Sequence, residues 1–394
     1  MDDEPRISRR RTLAGLATGL SAAIAGCALD SSESQEEDPS QTPDDTQPDT
    51  NRDEFPEEFN QPGANPNQPA ATDSGLTQLY EDIVDSVAAV RLESAEGAGG
   101  GTAWVYDAEE NYLVTNEHVV RNTDEPFVWF DNRGWRDADI VGTDVNSDLA
   151  VIEVLDGMPD EATELPLVEN PVPVGTEVVA IGNPFNLTGS FTSGVISGRN
   201  RNIDTVGREF SIADGVQTDA ALNPGNSGGP LVTHDAEVAG VVSAGQGDNV
   251  GFAISARMAR RVVPELIRTG EYRHSRMGVL ITDVTPGIIE ANKLDTTWGV
   301  YVIGTQTGLP ADGVLEGSPE GAEETVRGRS VPVGGDVITA LANDGVRWPI
   351  PTTERLSAFL SLYTKPGDTI DVEIVRDGEE RTVELTLTSR EESS

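Results

Sequence analysis

Several residue types are nearly missing from this sequence. Of 394 residues one is cysteine, three are histidine and four are methionine, and aromatic side chains make up 5%. With Cys27 as the sole cysteine, no intrachain disulfide can form, so stability has to come from packing and from the solvent. Positive charge is scarce as well. Lysine occurs only at 293 and 365, and 27 basic residues face 68 acidic ones for a formal net charge of -41. Such a surface repels phosphate backbones, which excludes a nucleic-acid partner. No metal-ligand spacing, glycine-rich phosphate loop or EF-hand pattern is present, so no metal or organic cofactor is expected.

High charge with low hydrophobicity is also the signature of an unfolded chain. Here, however, the acidic residues are spread through segments of clear apolar periodicity, which points to a folded protein whose carboxylates are screened by concentrated salt. The Debye length falls to about 3 Å at 1 M. The composition resembles that of proteins from extreme halophiles, of the haloarchaeal type.

Residues 1–27 read as an address. Arg9, Arg10 and Arg11 precede an uncharged apolar run over 13–26, which is too short to span a bilayer and fits a secretory signal. The paired arginines resemble a twin-arginine export signal. Ile24-Ala25-Gly26-Cys27 resembles a lipobox, which implies a lipid on the Cys27 sulfur and attachment to the extracellular face of the cell membrane. Residues 28–72 are almost devoid of apolar side chains and cannot offset their ordering entropy. They are expected to form a disordered acidic tether with ends on the order of 40 Å apart.

From 73 to 272 the pattern changes. A short helix over 76–86 is followed by brief β-rich runs at 88–92, 101–106, 112–115, 127–130, 149–154, 177–181 and 194–197, broken by Gly, Asn and Pro. Many short strands with frequent turns predict a mainly β domain built as barrels or sandwiches. A helix capped by Ser255 follows, with Met258, Val262, Val263, Leu266 and Ile267 on its buried face and Gly270 at its end.

Three segments carry chemistry. His118 follows an apolar strand in Thr115-Asn116-Glu117-His118. Asp148 stands at a strand entrance in Asn146-Ser147-Asp148-Leu149. Ser227 lies among glycines in Gly225-Asn226-Ser227-Gly228-Gly229-Pro230. A serine hydroxyl needs an imidazole to take its proton, and the imidazole needs a carboxylate to hold its tautomer and stabilise its cation. Glycines beside the serine let the chain turn so that amide N–H groups, assigned to Gly225 and Ser227, face a developing oxyanion.

Asp144 is the rival acid and is read as a loop position. His234 and His274 are expected to face solvent, and Asp219 to be structural. Gly225 to Gly229 also satisfies the G-x-S-x-G elbow of α/β-hydrolases. That esterase fold demands the order Ser, acid, His, and the acid and histidine named here both precede the serine.

The order His, Asp, Ser, with Gln217-Thr218-Asp219-Ala220-Ala221-Leu222-Asn223-Pro224 ahead of the serine, resembles the trypsin-like double β-barrel and the HtrA/Deg proteases in particular. Ala180-Ile181-Gly182-Asn183-Pro184-Phe185, Ser193 to Ser197, Gly240 to Ser243 and Val250 to Ile254 agree. The resemblance implies an ATP-independent serine endopeptidase acting on unfolded or damaged proteins, and a homotrimer. A quality-control chaperone that keeps a protease fold is the alternative. Ala221 stands where trypsin-like enzymes that cut after Arg or Lys carry an acid. With Leu222, Val242, Ser243 and Ala244, this predicts a small apolar pocket and cleavage after small or medium apolar residues.

Residues 275–390 resemble a PDZ domain (α+β) of the Deg type through Gly299 to Val302, Gly317-Ser318-Pro319, Gly334 to Ile338 and Val372 to Gly378. The resemblance implies that Arg276, Met277, Gly278 and Val279 form a loop for peptide C-terminal carboxylates, faced by a helix over 354–362 capped by Thr353. Residues inserted between Pro319 and Val331 put the groove shape in question.

Overall fold

The computed structural model describes residues 75–94, 97–123, 125–131, 133–183, 189–204, 210–245 and 249–390, without the side chains of 93, 94, 97, 98, 244 and 245. The signal, Cys27 and the tether lie outside the described residues, as do Pro184 and Phe185. All described elements fall in one compact unit, Gln68–Ser394.

Two closed barrels form the first part. Strands β1 (Val87–Ser94), β2 (Gly97–Asp107), β3 (Tyr112–Thr115), β4 (Phe127–Phe130), β5 (Gly134–Asp144) and β6 (Leu149–Val154) close in the order β1-β2-β3-β6-β5-β4. Strands β7 (Glu177–Gly182), β8 (Ser190–Asp204), β9 (Ser211–Thr218), β10 (Pro230–Thr233), β11 (Val238–Gly245) and β12 (Gly251–Ser255) close in the order β10-β11-β12-β9-β8-β7. The expected all-β architecture of barrels is what the chain adopts, and closure removes exposed strand edges.

The largest apolar cluster lies between the barrels. Trp104, Leu149 and Val151 from the first barrel meet Val179, Ile181 and Val241 from the second. Leu79 and Ile83 of helix α1 (Gly75–Ile83) plug one part of this seam, and Met258, Val262, Val263 and Leu266 of a long helix (Ala256–Thr269) fill another. A short helix, α2 (Glu117–Val120), follows β3, so the long helix is α3. Its start is set by Ser255, whose hydroxyl accepts from the Met258 N–H, and its end by Gly270 at φ 80°. Each fully buried Val or Leu side chain on its inner face contributes about 1.5–3 kcal/mol.

The C-terminal part is a six-stranded sheet with helices. Strands β14 (Val279–Asp283), β15 (Val300–Thr305), β18 (Val337–Asn343), β20 (Thr369–Arg376) and β21 (Glu379–Thr386) lie in that order, and β19 (Val346–Pro349) pairs with β18. A two-stranded ribbon joins β13 (Ser275–Arg276) to β22 (Thr388–Ser389). Helices α4 (Pro286–Asn292) and α5 (Thr353–Tyr363) complete it.

Two expectations are corrected here. The cap of α5 is Thr352, whose side chain accepts from the Arg355 N–H, so Thr353 is already the first helical residue. The inserted residues form an ordered hairpin, β16 (Glu323–Val326) and β17 (Arg329–Pro332), which buries Val326 and Val331 against Ile288 and Ala291 of α4. None of them lines the cavity between β14 and α5.

Helix α5 is not free. Ala358 and Leu362 join the apolar cluster of the barrels, and the Arg261 guanidinium on α3 donates to the Leu362 and Thr364 carbonyls at the helix end. Arg257 pairs with the buried Asp214 and also reaches Asn200 and the Tyr363 hydroxyl. Among the described residues, no helix is long and apolar enough to cross a membrane.

Candidate active site

Each chemistry-bearing side chain sits where a strand ends. β3 delivers Thr115 and Asn116, and the first turn of α2 presents His118. The turn between β5 and β6 places Asp148 at φ 56°, a left-handed conformation that Asp tolerates better than most residues. Its carboxylate is 1% exposed. The 118 ring is held through Nδ1, at 2.8 Å from Asp148 Oδ2 and 3.0 Å from Oδ1, and the His118 backbone N–H donates to Oδ1 at 3.1 Å. The backbone of Asp148 is tied down too, because its carbonyl accepts from the Glu117 N–H and from Asn116 Nδ2. Imidazole and carboxylate therefore have one mutual geometry.

Ser227 lies on the loop before β10. Gly225 (φ 102°) and Gly228 (φ 85°) make the sharp turns on either side. A Cβ on Gly228 would stand 2.1 Å from the Thr102 carbonyl oxygen, so only glycine fits there. The loop is held to the first barrel by the Thr102 N–H donating to the Ser227 carbonyl at 2.8 Å and by Thr102 Oγ1 donating to the Gly225 carbonyl at 2.7 Å. Gly228 and Gly229 donate to Val242 and Asn226, while among the described residues neither Gly225 nor Ser227 uses its N–H in a hydrogen bond. Two amides of one turn, on either side of Asn226, thus keep donors of the kind an oxyanion requires.

Ser243 joins the halves of this arrangement. Its hydroxyl donates to Asp148 Oδ2 at 3.0 Å, and its carbonyl accepts from the Ser227 hydroxyl at 3.1 Å. A continuous hydrogen-bonded path thus runs from the His118 ring through Asp148 and Ser243 to Ser227. Among the described residues no hydrogen bond links Ser227 directly to His118.

The chain's matches to other proteins agree with this geometry. Residues 101–241 match the family model described as a trypsin-like peptidase domain. The "Probable periplasmic serine endoprotease DegP-like" of Rhizobium meliloti is 36% identical over 302 residues, which cover 74% of this chain and 53% of that relative. The "Periplasmic pH-dependent serine endoprotease DegQ" of Escherichia coli is 31% identical over 306 residues, 76% of this chain and 61% of the relative. Among solved structures, the HtrA-type protease AlgW with tripeptide superposes with a TM-score of 0.64 at 27% identity, over 80% of this chain and 97% of that one. The chain belongs to the HtrA/Deg family. It spans about half the length of the curated relatives it matches, 53% for the first named.

Two of the HtrA/Deg pocket residues deduced from sequence, Leu222 and Val242, share one apolar cluster of the second barrel with Val178 and Ala253. Val242 is 2% exposed, so its side chain is core behind the site. Ser243 turns its hydroxyl to Asp148 and its carbonyl to the Ser227 hydroxyl. The Ala244 side chain lies outside the described residues.

His234 is exposed beside Glu177, as expected. His274 is not. It is 6% exposed, and its Nε2 lies 2.6 Å from Asp144 Oδ2. Asp144 also accepts from the Ser147 hydroxyl and from the backbone N–H groups of Asn146 and Ser147, so it shapes the turn that carries Asp148. The solvent-facing expectation fails because partners 130 residues apart in sequence meet only in the fold.

A second concavity lies in the C-terminal domain. Met277, Gly278, Val279 and Ile281 on one side and Leu356, Ser357 and Leu360 of α5 on the other line a cavity of about 310 Å³. Gly278 turns at φ 81°, and Met277 and Gly278 accept through their carbonyls from Ala311 and Gln306. Among the described residues their own N–H groups make no hydrogen bond.

Proposed function

We propose that this chain is an extracytoplasmic, ATP-independent serine endopeptidase in which His118, Asp148 and Ser227 act as base, orienting acid and nucleophile. The observation that carries the reading is the Asp148 carboxylate gripping His118 Nδ1 while Ser243 ties it to the Ser227 loop. In the reaction the Ser227 hydroxyl attacks a peptide carbonyl as His118 Nε2 takes its proton. The oxyanion is received by the Gly225 and Ser227 N–H groups, and the imidazolium returns the proton to the leaving amine. Water then hydrolyses the acyl-enzyme by the same relay. Rotation of the Ser227 hydroxyl away from the Ser243 carbonyl is needed first, at a cost of about 1 kcal/mol for one hydrogen bond.

Residues 73–272 make up the protease and 275–390 the PDZ domain in this reading. Unfolded or damaged proteins are the substrates, cut after small or medium apolar residues, and peptide C-termini dock by their carboxylate on residues 276–279. The lipid on Cys27 holds a homotrimer at the outer face of the cell membrane. Incubating an unfolded protein in molar salt with the chain and with its Ser227→Ala variant tests the core of the reading. Fragments appear only with Ser227 present, their new C-termini enriched in Val, Ala and Leu. Intact substrate that stays soluble with both forms selects instead a chaperone with a protease fold, a reading favoured by the bond of Ser227 to the Ser243 carbonyl in place of the His118 ring.

A further inference from the structure

In a chain with 68 acidic and 27 basic residues, the cavity beside the 276–279 loop is lined, among the described residues, by Arg276 and Arg390 and by no carboxylate. The two cations come from the strands of one ribbon, β13 and the residue after β22. They differ in how they are held. Arg276 is half-buried and donates to Gln306 Oε1 at 2.8 Å. Arg390 is partly buried, with its guanidinium 5.4 Å above the Phe210 ring of the second barrel and its Nη1 donating to Asn146 Oδ1 at 3.3 Å.

A guanidinium has five donor hydrogens, and among the described residues the acceptor that Arg390 reaches is the neutral Asn146 amide. Burial and the neighbouring Arg276 charge both push the Arg390 pKa below the usual arginine value, against an opposing pull from Asp144. Beside it Ser275, 3% exposed, lines the same cavity, and among the described residues its buried hydroxyl has no hydrogen-bond partner. A buried hydroxyl without a partner costs about 1–3 kcal/mol, which a ligand atom in the cavity can recover.

We propose that Arg390 and Ser275 form an anion subsite on the barrel side of this groove and that its ligand is a peptide carboxylate. The proposal rests on the reading of the groove as a peptide site and adds the residues that select for charge. The carboxylate reaches the subsite either from the peptide C-terminus or from an acidic side chain near it. Phe210, which precedes β9 of the second barrel, lines the same cavity and lies under the Arg390 guanidinium, so the subsite has this wall only while the C-terminal domain is packed on that barrel.

The test uses the full chain with Ser227→Ala, to prevent cleavage, and fluorescence polarisation of four peptides sharing one apolar sequence. One has a free C-terminus and one an amidated C-terminus; the other two repeat these ends with Glu in the penultimate position. A further Arg390→Gln change is expected to weaken binding of the carboxylate-bearing peptides about tenfold or more, as loss of a charge-assisted hydrogen bond does. Arg390→Lys recovers part of the affinity, Ser275→Ala weakens the same peptides, and the neutral amidated peptide is unaffected. Whether the free-acid or the Glu-amide peptide responds to Arg390→Gln tells which carboxylate occupies the subsite. Unchanged affinities in Arg390→Gln, with binding intact in the parent, overturn the subsite alone. An equal loss for the neutral amidated peptide overturns it too, making Arg390 a strut between domains. Absence of saturable binding by every peptide to the parent removes the groove reading itself.

Discussion

At the scale of single residues the site depends on a few positions with no tolerance. Asp148→Asn keeps the shape of its carboxyl group but no longer favours the same imidazole tautomer, and is expected to lower kcat by about 10⁴-fold, measured on an unfolded protein substrate. Ser243→Ala removes a hydrogen bond to that same carboxylate while leaving the carbonyl that faces Ser227. A loss of about 10- to 100-fold in kcat/KM follows, the range for one hydrogen bond to a charged group. An activity equal to wild type would mean that Asp148 is held well enough by His118 and its own turn. Gly228→Ala belongs to a different class, since the added methyl meets the Thr102 carbonyl and φ stays at 85°. It is expected to cost about 2–5 kcal/mol of stability in urea unfolding, in addition to any activity.

The elements explain both what was foreseen and what was missed. Strands β3, β4 and β6 have the bounds expected from their β-branched and aromatic runs, because β3 and β6 bury most of their side chains in a barrel and β4 buries every second one. β5 was not foreseen, since it carries Arg136, Asp137, Asp139 and Asp144 and buries only some positions. Cross-strand pairing with β4 and β6 makes it a strand despite that composition. β8 runs 15 residues, Ser190–Asp204, of which the sequence pattern marked only a short apolar part. Helix α3 was legible because its cap, apolar stripe and terminal glycine all agree. Ser255→Ala removes the oxygen that accepts from the Met258 N–H and the hydroxyl bonded to Asp214, and is expected to cost about 1–2 kcal/mol. Circular dichroism during urea unfolding should show a lower midpoint with an unchanged slope.

For the whole molecule, charge and domain packing set the behaviour. With a formal net charge of -41, self-repulsion opposes the compact state until salt screens it. The melting temperature is expected to rise by several degrees as KCl goes from about 0.1 M to about 2 M, the range over which the Debye length falls from about 10 Å to about 3 Å or less. Melting that is insensitive to salt counts against the halophilic reading. Packing of the C-terminal domain on the barrels depends on Arg261, which holds the end of α5 through the Leu362 and Thr364 carbonyls. In Arg261→Ala these buried carbonyls lose their donor, and limited proteolysis is expected to cut more rapidly between the two parts, near residue 272.

A mainly β domain of barrels or sandwiches and α3 were legible from residue type and local order, which also singled out His118, Asp148 and Ser227 as the proposed triad; the choice of a double barrel came from the family resemblance. Their signals are local: a glycine-flanked serine, a histidine after an apolar strand, an aspartate at a strand entrance. Other features depend on contacts between segments far apart in the chain, which no window of sequence contains. Such contacts bring Ser243 to Asp148, bury His274 against Asp144 and seat Arg390 over Phe210 beside Ser275. Burial and partner choice at those positions were decided by how the barrels and the C-terminal sheet pack together.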